Sequence, residues 1–283
     1  MKIDSLVNTE WLAAHLDDPD LVVLDCTVSI EADTGGAMRP VSGRVRYDEA
    51  HVRGAGFADL IHPLSDPESP LAFAMPTPIA FCTAMGALGV GDRSRVVLYD
   101  ARISAWAARV WWMLRWVGFD HAAILDGGLR AWIAEGRPTS TEPTRPAPAV
   151  LTPRLRPELV AEREEVRAAV GDAEVQLVDA LPAGHFRGET QMYHRPGHIP
   201  GACNVCAVDL IDEAGRYRPL ADLSELHRGD PAARTITYCG GGIAASSNAF
   251  VLTRLGFSDV AVYAASLQEW AADPTNPLTV DDS

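Results

Sequence analysis

Cys239 closes a short β-branched run, Thr235-Ile236-Thr237-Tyr238, and is followed by Gly240, Gly241 and Gly242. A small-residue stretch then opens a helix through Ile243, Ala244 and Ala245 towards Leu252. This order predicts a thiol at the carboxyl edge of a parallel sheet, the edge where open α/β folds place their ligands. Glycines let the backbone curl until its N–H groups converge, and a helix start adds the positive end of a dipole. A sulfur in that field is favoured as thiolate, the nucleophilic form. The chemistry expected is covalent catalysis: Cys239 attacks, holds a group and hands it on, while N–H groups from Gly240 to Ala244 stabilise the negative sulfur. The plain alternative is a buried structural cysteine beside a glycine turn.

Other reactive types make weaker candidates. Cys203 and Cys206 have redox or metal-ligand spacing, but His194 and His198 precede them in the same loop and no second pair completes a zinc set. They read as structural thiols, with resolution of an oxidised Cys239 by Cys206 as the sharper alternative. Cys26 and Cys82 lie in apolar contexts and belong in the core. Asp25 and Asp179 end strands and are expected to bond backbone around their loops. Nothing in the pattern implies a metal or a cofactor.

The chain has 283 residues, enough for two domains of ordinary size, and 47% hydrophobic content, ample for packed cores. A formal charge of −14 argues against nucleic acid and anionic membrane as main partners. Small anions, which respond to local fields, remain open. The first residues are polar rather than apolar, no run approaches the length of a membrane span, and five cysteines suggest reduced thiols. A cytoplasmic enzyme is the expectation; its oligomeric state is not legible.

The elements that position Cys239 recur. Leu21–Asp25 reads as a buried strand, Pro76–Gly89 as a helix, Arg95–Asp100 as a second strand and Trp106–Val117 as a buried helix. A strand and turn, Ala122–Gly128, lead into a helix around Trp132. Between the first strand and His51 the chain reads as a loop rich in Gly and Arg. Six prolines from Pro138 to Pro157 then mark an extended linker. Beyond it the order returns: Val175–Asp179 matches Leu21–Asp25, Gly197–Ala202 matches His51–Ala55, and Thr235–Cys239 matches Val96–Asp100. Val262–Ser266 matches Leu125–Gly128, and Trp270 matches Trp132. From Asp100 to Gly118 is 18 residues, and from Cys239 to Gly256 is 17. Such a duplication predicts two parallel sheets, with domains over 1–140 and 158–283 joined by 141–157. It also predicts an asymmetry, because only the second copy has sulfur at its strand-to-helix loop. The first copy has Asp100.

Taken together, the His-x-x-Gly-Ala elements at His51 and His198, Ala108-Arg109-Val110-Trp111-Trp112, Leu125-Asp126-Gly127-Gly128 with Trp132, and the Cys239 loop resemble the tandem rhodanese-domain sulfurtransferases. The likeness spans almost the whole chain. It implies two rhodanese-like α/β domains, each a parallel, mostly five-stranded sheet flanked by helices, the first without a working cysteine. It implies that Cys239 takes sulfur from a small anionic donor, thiosulfate or 3-mercaptopyruvate, and delivers it from a persulfide to a thiol or cyanide acceptor.

Departures from the family pattern bear on the donor. Thiosulfate-type loops carry Arg and Lys, whereas this one carries Gly, Ile and Ala. Mercaptopyruvate-type loops carry Ser two positions after the cysteine, where this chain has Gly241. His51 matches the family's proton-handling His. His185 stands at the position of a substrate-binding Arg, and Arg187 and Arg195 are nominated as nearby anion contacts, since an Arg fork grips a carboxylate or sulfonate as His cannot. A phosphatase would need Arg six residues after the cysteine, where Ala245 stands. The remaining rival is a persulfide carrier or regulatory module with little turnover on small donors.

Overall fold

A computed structural model describes residues 3–32, 35, 38–144 and 146–281. It divides into two compact units, one of residues 1–155 with Glu213–Arg216 and one of 156–212 with 217–283. The division falls at residue 155, within the proline-rich stretch, while the four residues Glu213–Arg216 belong with the first unit.

Each unit is built on a five-stranded parallel sheet, and the two sheets have the same strand order. In the first unit the strands lie side by side as Leu6–Val7, Ala122–Leu125, Arg95–Tyr99, Leu21–Asp25 and Gly56–Phe57. In the second they lie as Val160–Ala161, Val260–Tyr263, Arg234–Tyr238, Val175–Asp179 and Cys203–Asn204. The central pairs keep equivalent registers, Asp25 beside Tyr99 and Asp179 beside Tyr238. Strands buried on both faces favour apolar residues, which is why Leu21–Asp25 and Arg95–Tyr99 read as hydrophobic runs, while Arg234–Tyr238 is carried by β-branched residues. The outer strands are two residues long and carry no periodic signal.

One expectation is corrected here. The Gly- and Arg-rich segment after Asp25 contains a hairpin, Val28–Ala32 paired antiparallel with Met38–Ser42, where the sequence read as loop. Its residues are mostly half-buried or exposed, so no core-facing stripe announced it. The proline-rich stretch is hydrogen-bonded to the first unit along its length. Ala149 donates to the Gly86 carbonyl, Asp92 to that of Val150 and Arg154 to that of Val117.

The duplication reaches into buried polar detail. In the first unit the Tyr99 hydroxyl lies against the Asp25 carboxyl and accepts from the Val52 N–H at 3.1 Å. In the second the Tyr238 hydroxyl lies against Asp179 and accepts from Ile199 N–H at 3.0 Å. The two His-x-x-Gly-Ala turns superimpose in logic: Ala55 bonds back to Val52 and Ala202 to Ile199, around left-handed Gly54 and Gly201. The histidines also match. His51 stacks on Tyr47 and places Nδ1 2.7 Å from its carbonyl; His198 stacks on Phe186 and does the same.

Burial pushes the carboxyls of both Asp25 and Asp179 up to about 6, against the pull of nearby N–H and hydroxyl donors. A folded-state value above the unfolded one means the native state prefers the proton. The associated stability is therefore complete below the unfolded value and lost as pH rises through about 6, at roughly 3 kcal/mol for each group. Asp179→Asn should accordingly flatten the rise in urea-unfolding free energy seen between about pH 7 and about pH 4. Equal pH slopes in wild type and variant would show that Asp179 titrates normally.

Candidate active site

The strand Arg234–Tyr238 delivers Cys239 into the interior of its unit, where the residue is 2% exposed. Its backbone is pinned from both sides. Leu267 N–H donates to the Cys239 carbonyl and Gln268 N–H to that of Gly240, each at 3.0 Å, while the Cys239 N–H donates to Ser266 Oγ at 3.0 Å. Of the three glycines only Gly242 is left-handed, at φ +80°, and it caps the twelve-residue helix Ile243–Arg254. Thr237 Oγ1 donates to the Ala245 carbonyl at 3.0 Å and Ser246 Oγ to that of Gly242 at 2.7 Å, tying the first turn to the strand. Among the described residues, no backbone carbonyl takes the N–H groups of Gly240, Gly241, Gly242, Ile243 or Ala244. These are the five that the sequence assigned to a sulfur cradle.

The first unit shows what such a loop does with a negative group. Asp100, at the position of Cys239, accepts from the N–H groups of Arg102 and Ser104 on Oδ1, at 2.8 and 3.1 Å. Its Oδ2 accepts from Trp106 and Ala107 at 3.1 and 3.2 Å. The helix that follows, Ala105–Trp116, is also twelve residues long and capped by a left-handed residue, Ser104 at φ +59°. Burial pushes the Asp100 carboxyl above its ordinary range and the four amides pull it back. The fold thus presents the equivalent strand-to-helix loop twice, once closed on its own carboxylate and once beginning with a cysteine.

Gly240 is a glycine for a different reason from Gly242. A Cβ at residue 240 would begin 1.4 Å from the hydroxyl of Tyr193. Tyr193 belongs to a segment with no counterpart in the first unit, since Tyr47 and His51 are four residues apart and Phe186 and His198 are twelve apart. The same segment holds most of the nominated anion contacts. Arg187 is exposed and pairs with Glu189 at 2.6 Å. His185 bonds through Nδ1 to Thr190 Oγ1 at 2.9 Å. Arg195, nominated as an anion contact, is placed as a clamp. Its Nε donates to the Ala271 carbonyl at 3.0 Å and its Nη2 to those of Asp273 and Asn276 at 2.7 and 2.9 Å.

His51, nominated for proton handling, has no exposed surface and faces carbonyls on both edges, that of Tyr47 at 2.7 Å and that of Glu142 at 3.1 Å. Such a ring holds a turn together rather than presenting a free nitrogen. Cys203 and Cys206 are free thiols, and burial pushes both above the ordinary range. Among the described residues no cluster of three or more His, Cys, Asp or Glu side chains could hold a metal, and no helix is long and apolar enough to cross a membrane.

Comparison with known proteins matches the rhodanese-like domain family twice, over residues 8–135 and 162–273. The chain belongs to the rhodanese family. Among its relatives, a probable 3-mercaptopyruvate sulfurtransferase of Pseudomonas aeruginosa is 36% identical over the full length of both chains. Human 3-mercaptopyruvate sulfurtransferase is 32% identical over 94% of this chain and 91% of its own. Chicken thiosulfate sulfurtransferase is 34% identical over 80% of each. Among solved structures, SseA of Escherichia coli, a 3-mercaptopyruvate sulfotransferase, superimposes with a TM-score of 0.82 at 30% identity, over 93% of this chain and 99% of that one. The anaerobic ergothioneine biosynthesis enzyme of Chlorobium limicola shares the fold at a TM-score of 0.83 and 21% identity, over 99% of this chain and 71% of its own.

Sequence reasoning missed two residues of this rhodanese site. Ser266 was matched to Gly128, and a serine where its copy keeps a left-handed glycine was signal enough. Tyr193 lies where the copies differ in length, so no internal comparison reached it.

Proposed function

We propose that this rhodanese is a sulfurtransferase that moves sulfur through a persulfide on Cys239. The thiolate attacks the outer sulfur of a small anionic donor, 3-mercaptopyruvate or thiosulfate. A Cys239 Sγ–S bond forms as the donor's C–S or S–S bond breaks, and the electron pair leaves with pyruvate enolate or sulfite. A thiol or cyanide acceptor then attacks the persulfide's outer sulfur and restores the Cys239 thiolate. The observation that carries this reading is the twin loop: one copy holds the Asp100 carboxylate with four backbone N–H groups, and the equivalent strand-to-helix loop of the second unit begins with a cysteine. A ring of amides suits a sulfur anion before and after transfer, so it stabilises both half-reactions without a basic side chain.

Relatives named for each donor support the sulfurtransferase assignment and both donor classes. Of the nominated anion contacts, Arg187 is the exposed cation proposed to exchange Glu189 for the donor's carboxylate or sulfonate, with His185 two residues before it in the chain. Free thiols throughout suit a reducing compartment, and we place the protein in the cytoplasm on that ground. The bare loop, without cation or hydroxyl, favours a second reading as a persulfide carrier loaded by a partner protein.

Intact-mass analysis tests the proposal. Incubation with each donor should add one sulfur atom to the chain, localised by peptide mapping to Cys239 and removed by cyanide. Turnover with a thiol acceptor should follow ping-pong kinetics. Loading from a persulfidated protein, with no loading from either small donor, would favour the carrier.

A further inference from the structure

The Cys239 ring is made of backbone amides alone as far as its own loop goes, yet one side chain from elsewhere is placed against it. Tyr193 lies half-buried, packed at the edge of the core cluster that includes Tyr238, Ile199 and Trp270. Its hydroxyl meets Gly240 so closely that any side chain at residue 240 would collide with it, the ring Cζ lying 2.3 Å from the same point. Glycine at 240 is thus required for the phenol to reach the loop, since its backbone is not left-handed. No hydrogen bond among the described residues takes the phenol's proton. Burial first, then the negative charge of Cys239, then that of Asp179, push the phenol above its ordinary range. It therefore stays protonated and remains a donor at every working pH.

We propose that the Tyr193 hydroxyl is a sulfur-ligating donor of the Cys239 site, supplying from the inserted segment the side-chain hydroxyl that Gly241 does not. This rests on the persulfide reading above and adds to it a residue outside the loop. The proton stays on the phenol oxygen throughout, and its hydrogen bond to sulfur forms as negative charge collects there during donor cleavage. A hydrogen bond to a charged group in a desolvated site corresponds to roughly a tenfold to hundredfold effect on the rate. The insertion explains why the first unit lacks the feature: its loop closes on a carboxylate and has no sulfur to serve.

The test compares Tyr193→Phe with Tyr193→Ala in single-turnover loading of Cys239, followed by intact mass at varied donor concentration. Phe keeps the ring and its packing and removes only the hydroxyl. The expected result is a loading rate at saturating donor about tenfold to a hundredfold lower in both variants. The half-saturating donor concentration should be little changed, and thermal stability should be lost only in Ala. Phe loading at the wild-type rate, whatever Ala does, overturns the proposal and leaves Tyr193 as packing. Failure of wild-type protein to load from either donor overturns the persulfide reading instead, so the two failures are distinguishable.

Discussion

Cys239→Ser is expected to abolish sulfur transfer from either donor, by at least about a thousandfold, while leaving the protein folded. Serine is close in size, so the buried site keeps its packing and the Ser266 contact to the backbone N–H. What disappears is the sulfur that becomes a persulfide. None of the other four thiols offers a bypass. Burial, then the charges of Asp25 and Asp100, hold Cys26 well above the ordinary range. Cys82 is pushed up to about 11 by burial and then Asp92. Cys203 and Cys206 are raised by burial as well. At neutral pH all four are therefore thiols, and a thiol is a poor nucleophile. The first unit has a carboxylate already locked in its amide ring. Steady-state turnover and intact mass on the same preparation check both halves of the expectation. Retention of wild-type activity by the serine variant would remove Cys239 from the chemistry and with it the whole functional assignment.

The extent to which this was legible depends on where the two copies can check each other. Asp25 and Asp179, His51 and His198, Gly54 and Gly201 recur at matched positions, and the structure gives each pair the same partner geometry. The central strands were legible from their apolar runs in the first unit and from the β-branched run Thr235–Thr237 in the second. The two-residue edge strands were not, since Leu6–Val7 or Cys203–Asn204 is too short to carry a period. The anion contacts were least legible. Charge identifies Arg195 as a candidate, but a guanidinium satisfies backbone carbonyls as readily as a carboxylate, and here the loop 271–276 takes it. Between Phe186 and His198 the second copy has no template in the first. That segment contains Arg187, Tyr193 and Arg195, so the nominated anion contacts there and the phenol beside Gly240 sit where internal comparison is blind.

Ser266 is where backbone strain and the nucleophile meet, and its variants should separate the two. It starts the Ser266–Trp270 helix at φ +53°, fully buried, where the first unit has Gly128 at φ +55°. A residue with a Cβ costs about 1–2 kcal/mol there. The hydroxyl offsets this, accepting from the Cys239 N–H at 3.0 Å and donating to the Tyr263 carbonyl at 2.7 Å. Ser266→Ala keeps the strain, loses both bonds and leaves a buried N–H without an acceptor, for a loss of about 2–3 kcal/mol. Ser266→Gly also loses the bonds but relieves the strain, so its net loss should be smaller, about 0–2 kcal/mol. Glycine should therefore be the more stable replacement at a helical position, the reverse of intrinsic helix propensity. Both variants free the Cys239 backbone from one of its anchors and should slow persulfide loading about tenfold, to similar degrees. Denaturant unfolding and single-turnover loading on the pair would read the two effects apart. An alanine variant as stable as wild type would mean that the serine hydroxyl holds nothing, and equal stability of the two variants would mean that the left-handed backbone carries no strain.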